Sequence, residues 1–220
     1  WRELEPLLAS PLKAVRIETA RLLLAGVRDL NTADRTRLQP VIDEYLASLR
    51  LNADRPESQA ALAMAQLQLG AFDAAEAALQ EALAINDQYV PAMLNLADLY
   101  RGTGRDRDGG ELFARAIALA PESAEVLKAG GLWMVRQRRT EEALELFARA
   151  LAVEPDNPDN GYLLAVALNS AGRADEALQV LDAALDRSPG QRQLLEVAAS
   201  IARDNGDVER LARYLPQLRN

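Results

Sequence analysis

The 220-residue chain has no cysteine and no histidine. The first absence excludes disulfides, thiol nucleophiles and thiolate ligation of a metal. It leaves the redox compartment open, because a cysteine-free chain is stable in either. The second removes imidazole ligation of zinc or haem and the commonest general base near neutral pH. Aromatic residues make up only 5%. Lysine occurs only as Lys13 and Lys128, with no Ser-x-x-Lys spacing. No G-x-x-x-x-G-K-[ST] loop and no dinucleotide fingerprint is present. No apolar run approaches the roughly 18 residues of a membrane span. No signal peptide is visible, and the opening WRELEPLL lacks Met, so the sequence reads as a piece of a longer protein whose localisation is unknown.

Alanine and leucine fill the place of the missing aromatics, and with Glu, Gln and Arg they are strong helix formers. An all-α fold is therefore expected, and the 49% apolar content is enough for a core. Charge is uneven. Residues 1–55 carry 9 basic and 8 acidic side chains, whereas 56–220 carry 16 and 25, or net −9. An acidic body argues against nucleic acid as a partner, since Lys and Arg must neutralise its phosphates.

LFARAIALAPES at 112–123 returns as LFARALAVEPDN at 146–157, 34 residues later. Units starting at Pro56, Val90, Ala124, Pro158 and Arg192 extend the echo. The eighth position is always small: Ala63, Ala97, Gly131, Ala165 and Ala199. The fifteenth reads Gly70, Gly104, Arg138, Gly172 and Gly206; the twentieth reads Ala75, Gly109, Ala143, Ala177 and Leu211. The twenty-fourth is large (Leu79, Phe113, Phe147, Leu181, Leu215), and Pro121, Pro155 and Pro189 close three units. Small residues let two helices approach and a large one fills the space beside them. Glycine at position 15 suits a left-handed helix end, and proline stops the second helix.

On these residues the chain resembles the tetratricopeptide repeat (TPR) family, whose repeat is a 34-residue helix–turn–helix. The resemblance implies a superhelical solenoid of antiparallel helix pairs, with four repeats over 56–189 (56–89, 90–123, 124–157 and 158–191). An incomplete repeat or C-terminal cap follows at 192–220, in which DVERLARYLPQL covers the open end. Some residues depart from the pattern. Gly109–Gly110 and Gly130–Gly131 either make room for the Trp133 indole or locally weaken two helices. Asn160-Gly161 predicts a turn within a first helix.

Residues 37–55 read as a degenerate second helix, with Pro40 in the first turn of Gln39–Arg50 and a polar loop at 29–38. Residues 1–30 read as HEAT-like or capping helices. There Ser10 would cap a helix opened by Pro11, and the phrase at 7–26 resembles the second helix of a HEAT repeat. HEAT-like and TPR segments in this order also resemble the C-terminal region of bacterial multihaem cytochromes, which would place haem motifs upstream and the parent in the periplasm.

Catalysis finds no support. Glu141-Glu142 falls at an exposed helix start, where acids complement the dipole. Asp106–Gly109 and Asp156–Gly161 mimic calcium loops, but the bidentate Glu is missing: Arg115 and Ala167 stand in its place. No cofactor or metal site is expected.

The resemblance implies instead a protein or peptide partner, held on first-helix positions 2, 5, 9, 12 and 13. These are Ala60, Met64, Leu67 and Gln68, then Leu94, Asp98 and Arg101. Lys128, Leu132, Val135 and Arg136 follow, then Tyr162, Val166, Asn169 and Ser170, and last Glu196, Ser200 and Arg203. The candidate binding set is Met64, Leu67, Asp98, Arg101, Lys128, Arg136, Tyr162 and Asn169, with its cations as anchors for a partner carboxylate. Arg101 pairing with Asp98 is the competing reading. The family's carboxylate clamp for chaperone C-termini is poorly matched: Ala60, Met64 and Leu132 occupy three of its positions, and only Asn95 and Lys128 fit. A structural or regulatory arm of an enzyme or redox protein remains the alternative.

Overall fold

The first helix of each repeat starts on the 34-residue period of the sequence. A computed structural model describes residues 3–218. After a 3₁₀ turn at Glu5–Ala9 come α1 (Lys13–Leu23), a second 3₁₀ turn (Leu24–Asp29) and α2 (Thr32–Arg50). The periodic part holds α3 (Pro56–Leu69), α4 (Phe72–Ile85), α5 (Val90–Gly102), α6 (Gly110–Leu119), α7 (Ala124–Arg136) and α8 (Thr140–Val153). It continues with α9 (Pro158–Ser170), α10 (Ala174–Arg187), α11 (Arg192–Asp204) and α12 (Val208–Gln217). No strand occurs among the described residues. The chain divides into two compact units, Trp1–Leu112 and Phe113–Asn220.

The glycines do what a left-handed helix end requires. Gly70, Gly104, Gly172 and Gly206 have φ between 73° and 79°. After α3 the Gly70 amide donates to Leu67 O at 3.0 Å and the Ala71 amide to Gln66 O at 2.9 Å, which satisfies two terminal carbonyls. Arg138 takes the same place after α7 at φ 60°, with its amide on Val135 O (3.0 Å) and that of Arg139 on Met134 O (2.9 Å). α6, α8 and α10 each end two residues before Pro121, Pro155 or Pro189.

In the first unit, Ala63, Ala75 and Leu79 are buried between α3 and α4. Ala20, Leu24, Leu38, Val41 and Ile42 form a second cluster that reaches α3 through Ala65 and Leu69. Arg16 locks α1 to α2 by donating to Glu44 at 2.8 and 2.7 Å and to Ser10 O at 2.6 Å. In the second unit, Phe147, Ala165, Leu178, Leu181, Leu194 and Leu195 belong to one continuous core. Leu215 is the exception among the large position-24 residues described, left 44% exposed on the last helix.

Five expectations are corrected. Most of the polar stretch expected as a loop, residues 32–38, belongs to α2, and Pro40 lies inside that helix rather than in its first turn. The Asn31 side chain accepts from the Asp34 amide at 2.9 Å, so the helix is capped there and its polar residues are a solvated face. α1 opens at Lys13 with Leu12 as N-cap; Ser10 Oγ accepts only from the Leu12 amide at 3.3 Å, before the helix.

Asn160-Gly161 makes no turn. α9 runs unbroken from Pro158, and Asn160 is buried, donating to Ala150 O (3.2 Å) and Glu154 O (2.9 Å) at the end of α8. Gly130 and Gly131 do not make room for Trp133. A β-carbon on Gly130 would lie 2.8 Å from Ile117 Cδ1, and one on Gly131 2.5 Å from Phe147 Cε1. Trp133 packs instead on Phe113, with ring centroids 5.9 Å apart and tilted by 38°. Asp106–Gly109 is a 3₁₀ turn, and α6 begins only at Gly110. Glycine pays the largest conformational entropy in a helix, which fits the delayed start.

Candidate functional site

The candidate residues fall on four first helices, and each unit is described by itself. In the first unit, Met64 on α3 is 42% exposed and Leu67 is half-buried. The N-terminal cluster covers α3 through Ala65 and Leu69, so Met64 stays at the surface. Ala60 is buried. On α5, Arg101 Nη2 lies 2.6 Å from Asp98 Oδ1, one turn away. Arg101 and Asp98 are thus bound to each other, as the competing reading of this pair has it.

The nearby cation Arg105 is also engaged. It forms a bidentate pair with Glu76, and its guanidinium lies 4.5 Å from the centroid of the Tyr100 ring. That pairing holds the Glu76 carboxyl below its usual range.

In the second unit, the candidate positions form two stripes at helical spacing. Lys128, Leu132, Val135 and Arg136 follow one face of α7, and Tyr162, Val166, Asn169 and Ser170 follow one face of α9. Between the stripes is a cleft of about 170 Å³, lined by Leu132, Val135, Thr140, Ala143, Phe147, Leu163, Val166, Ala167 and Ser170. Leu132 and Val135 are 41% and 46% exposed, unusual for large apolar side chains over a depression. Lys128 and Tyr162 stand one turn before Leu132 and Val166, both half-buried, and Arg136 and Asn169 are exposed.

Sequence reasoning supplied Leu132, Val135, Val166 and Ser170 but missed the floor. Thr140, Ala143 and Phe147 come from α8, and Leu163 and Ala167 from the inward shoulder of α9. The available signal was the small pair Ala143 and Ala167, which leaves space beneath two exposed aliphatic residues. Farther along, Glu196 accepts from Arg192 at 2.8 Å, and Arg203 pairs with Asp204 at 2.9 Å.

A larger, shallower groove of about 580 Å³ lies between α8 and α10, with Leu144, Leu164 and Leu168 in its lining. Three charged residues of its rim are engaged with one another. Arg173 pairs with Glu176 at 2.6 Å and with Glu141 at 3.6 Å, which holds the Glu176 carboxyl low. The cleft between α7 and α9 has no charged residue in its lining.

Among the described residues, no group of three or more acidic, His or Cys side chains is placed to hold a metal ion, and no helix is long and apolar enough to cross a membrane.

Comparison with known proteins agrees with this geometry. The model of the tetratricopeptide repeat matches residues 66–130 and 134–203, together more than half of the chain. Among solved structures, one of the protein MamA aligns with a TM-score of 0.64 at 20% identity, over 74% of this chain and 89% of that one. A second MamA structure aligns at 0.61 and 22% identity, over 70% and 90%. YrrB, described as a TPR protein with an unusual peptide-binding site, aligns at 0.61 and 17% identity, over 78% and 89%. These likenesses concern the fold. A search among curated proteins found no match. The family match is to the repeat itself and brings no association with multihaem cytochromes.

Proposed function

The chain belongs to the tetratricopeptide repeat family, and from that premise we propose that it is a non-catalytic interaction module binding an extended segment of a partner protein along α7 and α9. Proteins of this family generally mediate protein–protein interaction, and YrrB carries a peptide-binding site. The observation that carries the proposal is the cleft between α7 and α9, where Leu132 and Val135 stay exposed beside an unfilled apolar depression. Large apolar side chains gathered around a concavity lose contact with water when a ligand covers them, and that favours binding. Lys128, Tyr162 and Asn169 border the cleft with groups that orient a polar backbone or side chain. Met64, Leu67, Asp98 and Arg101 belong to the corresponding face of the first unit.

The test is selection of a displayed library of random linear peptides on the folded chain. Binders are then measured against Val135→Asp and Val166→Asp. At least about tenfold weaker binding with unchanged helix content is expected, since a ligand covering either side chain would then bury a charge without a partner. Binders unaffected by both changes would put recognition elsewhere. A library that yields no binder favours the passive structural arm.

A further inference from the structure

The last helix carries an apolar stripe open to solvent. Val208, Ala212 and Leu215 recur at four- and three-residue spacing on one face of α12, and all three are exposed, Val208 by 74%. The places of Ala212 and Leu215 hold Leu144 and Phe147 on α8 and Leu178 and Leu181 on α10, all buried. There α9 packs on α8 and α11 on α10; no helix follows α12 among the described residues.

The stripe matches a copy of itself run in the opposite direction. Around a two-fold axis near Leu211 and Ala212, Val208 falls opposite the partner's Leu215, and Leu215 opposite the partner's Val208. Ala212 lies beside the axis, small where two helices cross most closely. Glu209 and Arg213 lie along one flank of the stripe, two residues to either side of Leu211. The same axis therefore sets Glu209 against the partner's Arg213, twice over.

Both charges are placed for this. Glu209 is exposed and forms no ion pair among the described residues. Arg213 is more than half exposed and reaches Asp182 only at 3.7 Å. The other second helices hold Ala77, Glu111, Glu145 and Gln179 at the place of Arg213, so among them this cation belongs to α12 alone. The chain has net charge −8 and repels a second copy, whereas Val208–Gln217 holds two cations and one acid.

We propose that two copies of the chain associate through α12, antiparallel, with Val208 on the partner's Leu215 and Glu209 paired with the partner's Arg213. One helix face buries less than the roughly 1,200 Å² of a standard interface, so the dimer is weak and forms at high protein concentration. It uses no residue of the α7–α9 cleft, and the two proposals stand or fall separately.

Sedimentation of the full chain from micromolar to near-millimolar concentration tests this. A monomer–dimer equilibrium is expected. Val208→Asp and Leu215→Asp should each weaken it by about tenfold or more, since the dimer would bury a carboxylate without a partner. Glu209→Arg alone should weaken it by about fivefold or more through like charges, and adding Arg213→Glu should restore it by exchanging the two signs. If the doubly altered chain does not fold, a thiol replaces it. The chain has no cysteine, so Ala212→Cys supplies a single one beside the axis, and a short bis-maleimide should link it into dimers. Gln217→Cys, exposed on the same helix but far from the axis, should not be linked.

A chain that stays monomeric throughout overturns the proposal. So does a dimer indifferent to both aspartate variants, which places the contact elsewhere. A dimer that responds to them but is not restored by the charge exchange, or that links through Gln217→Cys as readily as through Ala212→Cys, overturns the antiparallel pairing.

Discussion

The Tyr214 hydroxyl donates to Asp182 Oδ1 at 2.6 Å and thereby ties α12 to α10. Asp182 also receives Arg210 Nε at 3.1 Å, and Arg210 in turn reaches Asp207, the residue that caps α12. Tyr214 is the one fully buried residue of that helix among those described, so a phenol and a carboxylate hold the end of the second unit. Tyr214→Phe should lower stability by about 1.5–3 kcal/mol, the usual worth of a hydrogen bond to a charged group. Amide exchange confined to α12 should rise by more than exchange in α9.

The same pair sets a pH dependence on the alkaline side. Burial, and after it the hydrogen bond to Asp182, raises the Tyr214 phenol above the ordinary tyrosine value. The fold favours the protonated phenol, whereas the unfolded chain releases that proton near pH 10, about the reference value. The contribution is therefore fully present below about pH 10 and is lost as pH rises through the folded value. Urea midpoints at about pH 8 and about pH 11 should converge for the unaltered chain and Tyr214→Phe, because only the former has the raised Tyr214 phenol to lose. A constant gap between them would contradict the linkage.

Asn160 closes the preceding helix. Its amide covers Ala150 O and Glu154 O, while its own Oδ1 is buried with no partner. Asn160→Ala removes two donors but also relieves that oxygen, so the expected cost is only about 1–2 kcal/mol. Asn160→Asp should cost more, because a carboxylate facing two carbonyl oxygens lacks the donors and is buried near acceptors. Thermal melts that rank Ala below Asp in stability would refute this account.

How far the sequence foretells these features depends on whether the cause is local. Gly70, Gly172 and the prolines after α6, α8 and α10 act within a few residues of their own position, so their spacing alone placed the helices. The N-terminal half of α2 was misjudged because its residues are mostly polar, and polar residues serve a solvated helix face as readily as a loop. Asn160 was misread because a side chain that caps a neighbouring helix looks, in one dimension, like a turn residue. At the site, Leu132 and Val135 follow from helical spacing. The floor made by Ala143 and Phe147 comes from another helix, at a distance that only packing fixes.

Arg138 occupies a backbone place that glycine fills after α3, α5, α9 and α11. A side chain in the left-handed region costs roughly 1–2 kcal/mol, and glycine returns roughly 0.5–1 kcal/mol of that through the entropy of the unfolded chain. Arg138→Gly should therefore stabilise the chain by about 0.5–1 kcal/mol, read as a melting temperature about 2 °C higher. The reverse change, Gly172→Arg, should destabilise by a similar amount, and a null result for both would remove the strain argument.

Gly131 and Phe147 form a matched pair. The ring lies where a β-carbon would be, 2.5 Å from Cε1 and 2.8 Å from Cδ1, too close for any L side chain without movement. The equivalent positions of two other repeats hold Ala63 with Leu79 and Ala165 with Leu181, a larger residue facing a smaller one, and all four are buried. Gly131→Ala alone should destabilise by about 1–3 kcal/mol through overpacking, although alanine favours helix by about 1 kcal/mol. Phe147→Leu alone should cost about 1–2 kcal/mol, because the space vacated by the ring stays partly empty. The double change recreates the pairing of the other two repeats, so its cost should fall below the sum of the single costs by 1 kcal/mol or more, about what contacting residues show in a double-mutant cycle. Strict additivity in chemical denaturation would mean that the ring moves aside freely and that the glycine serves some other end.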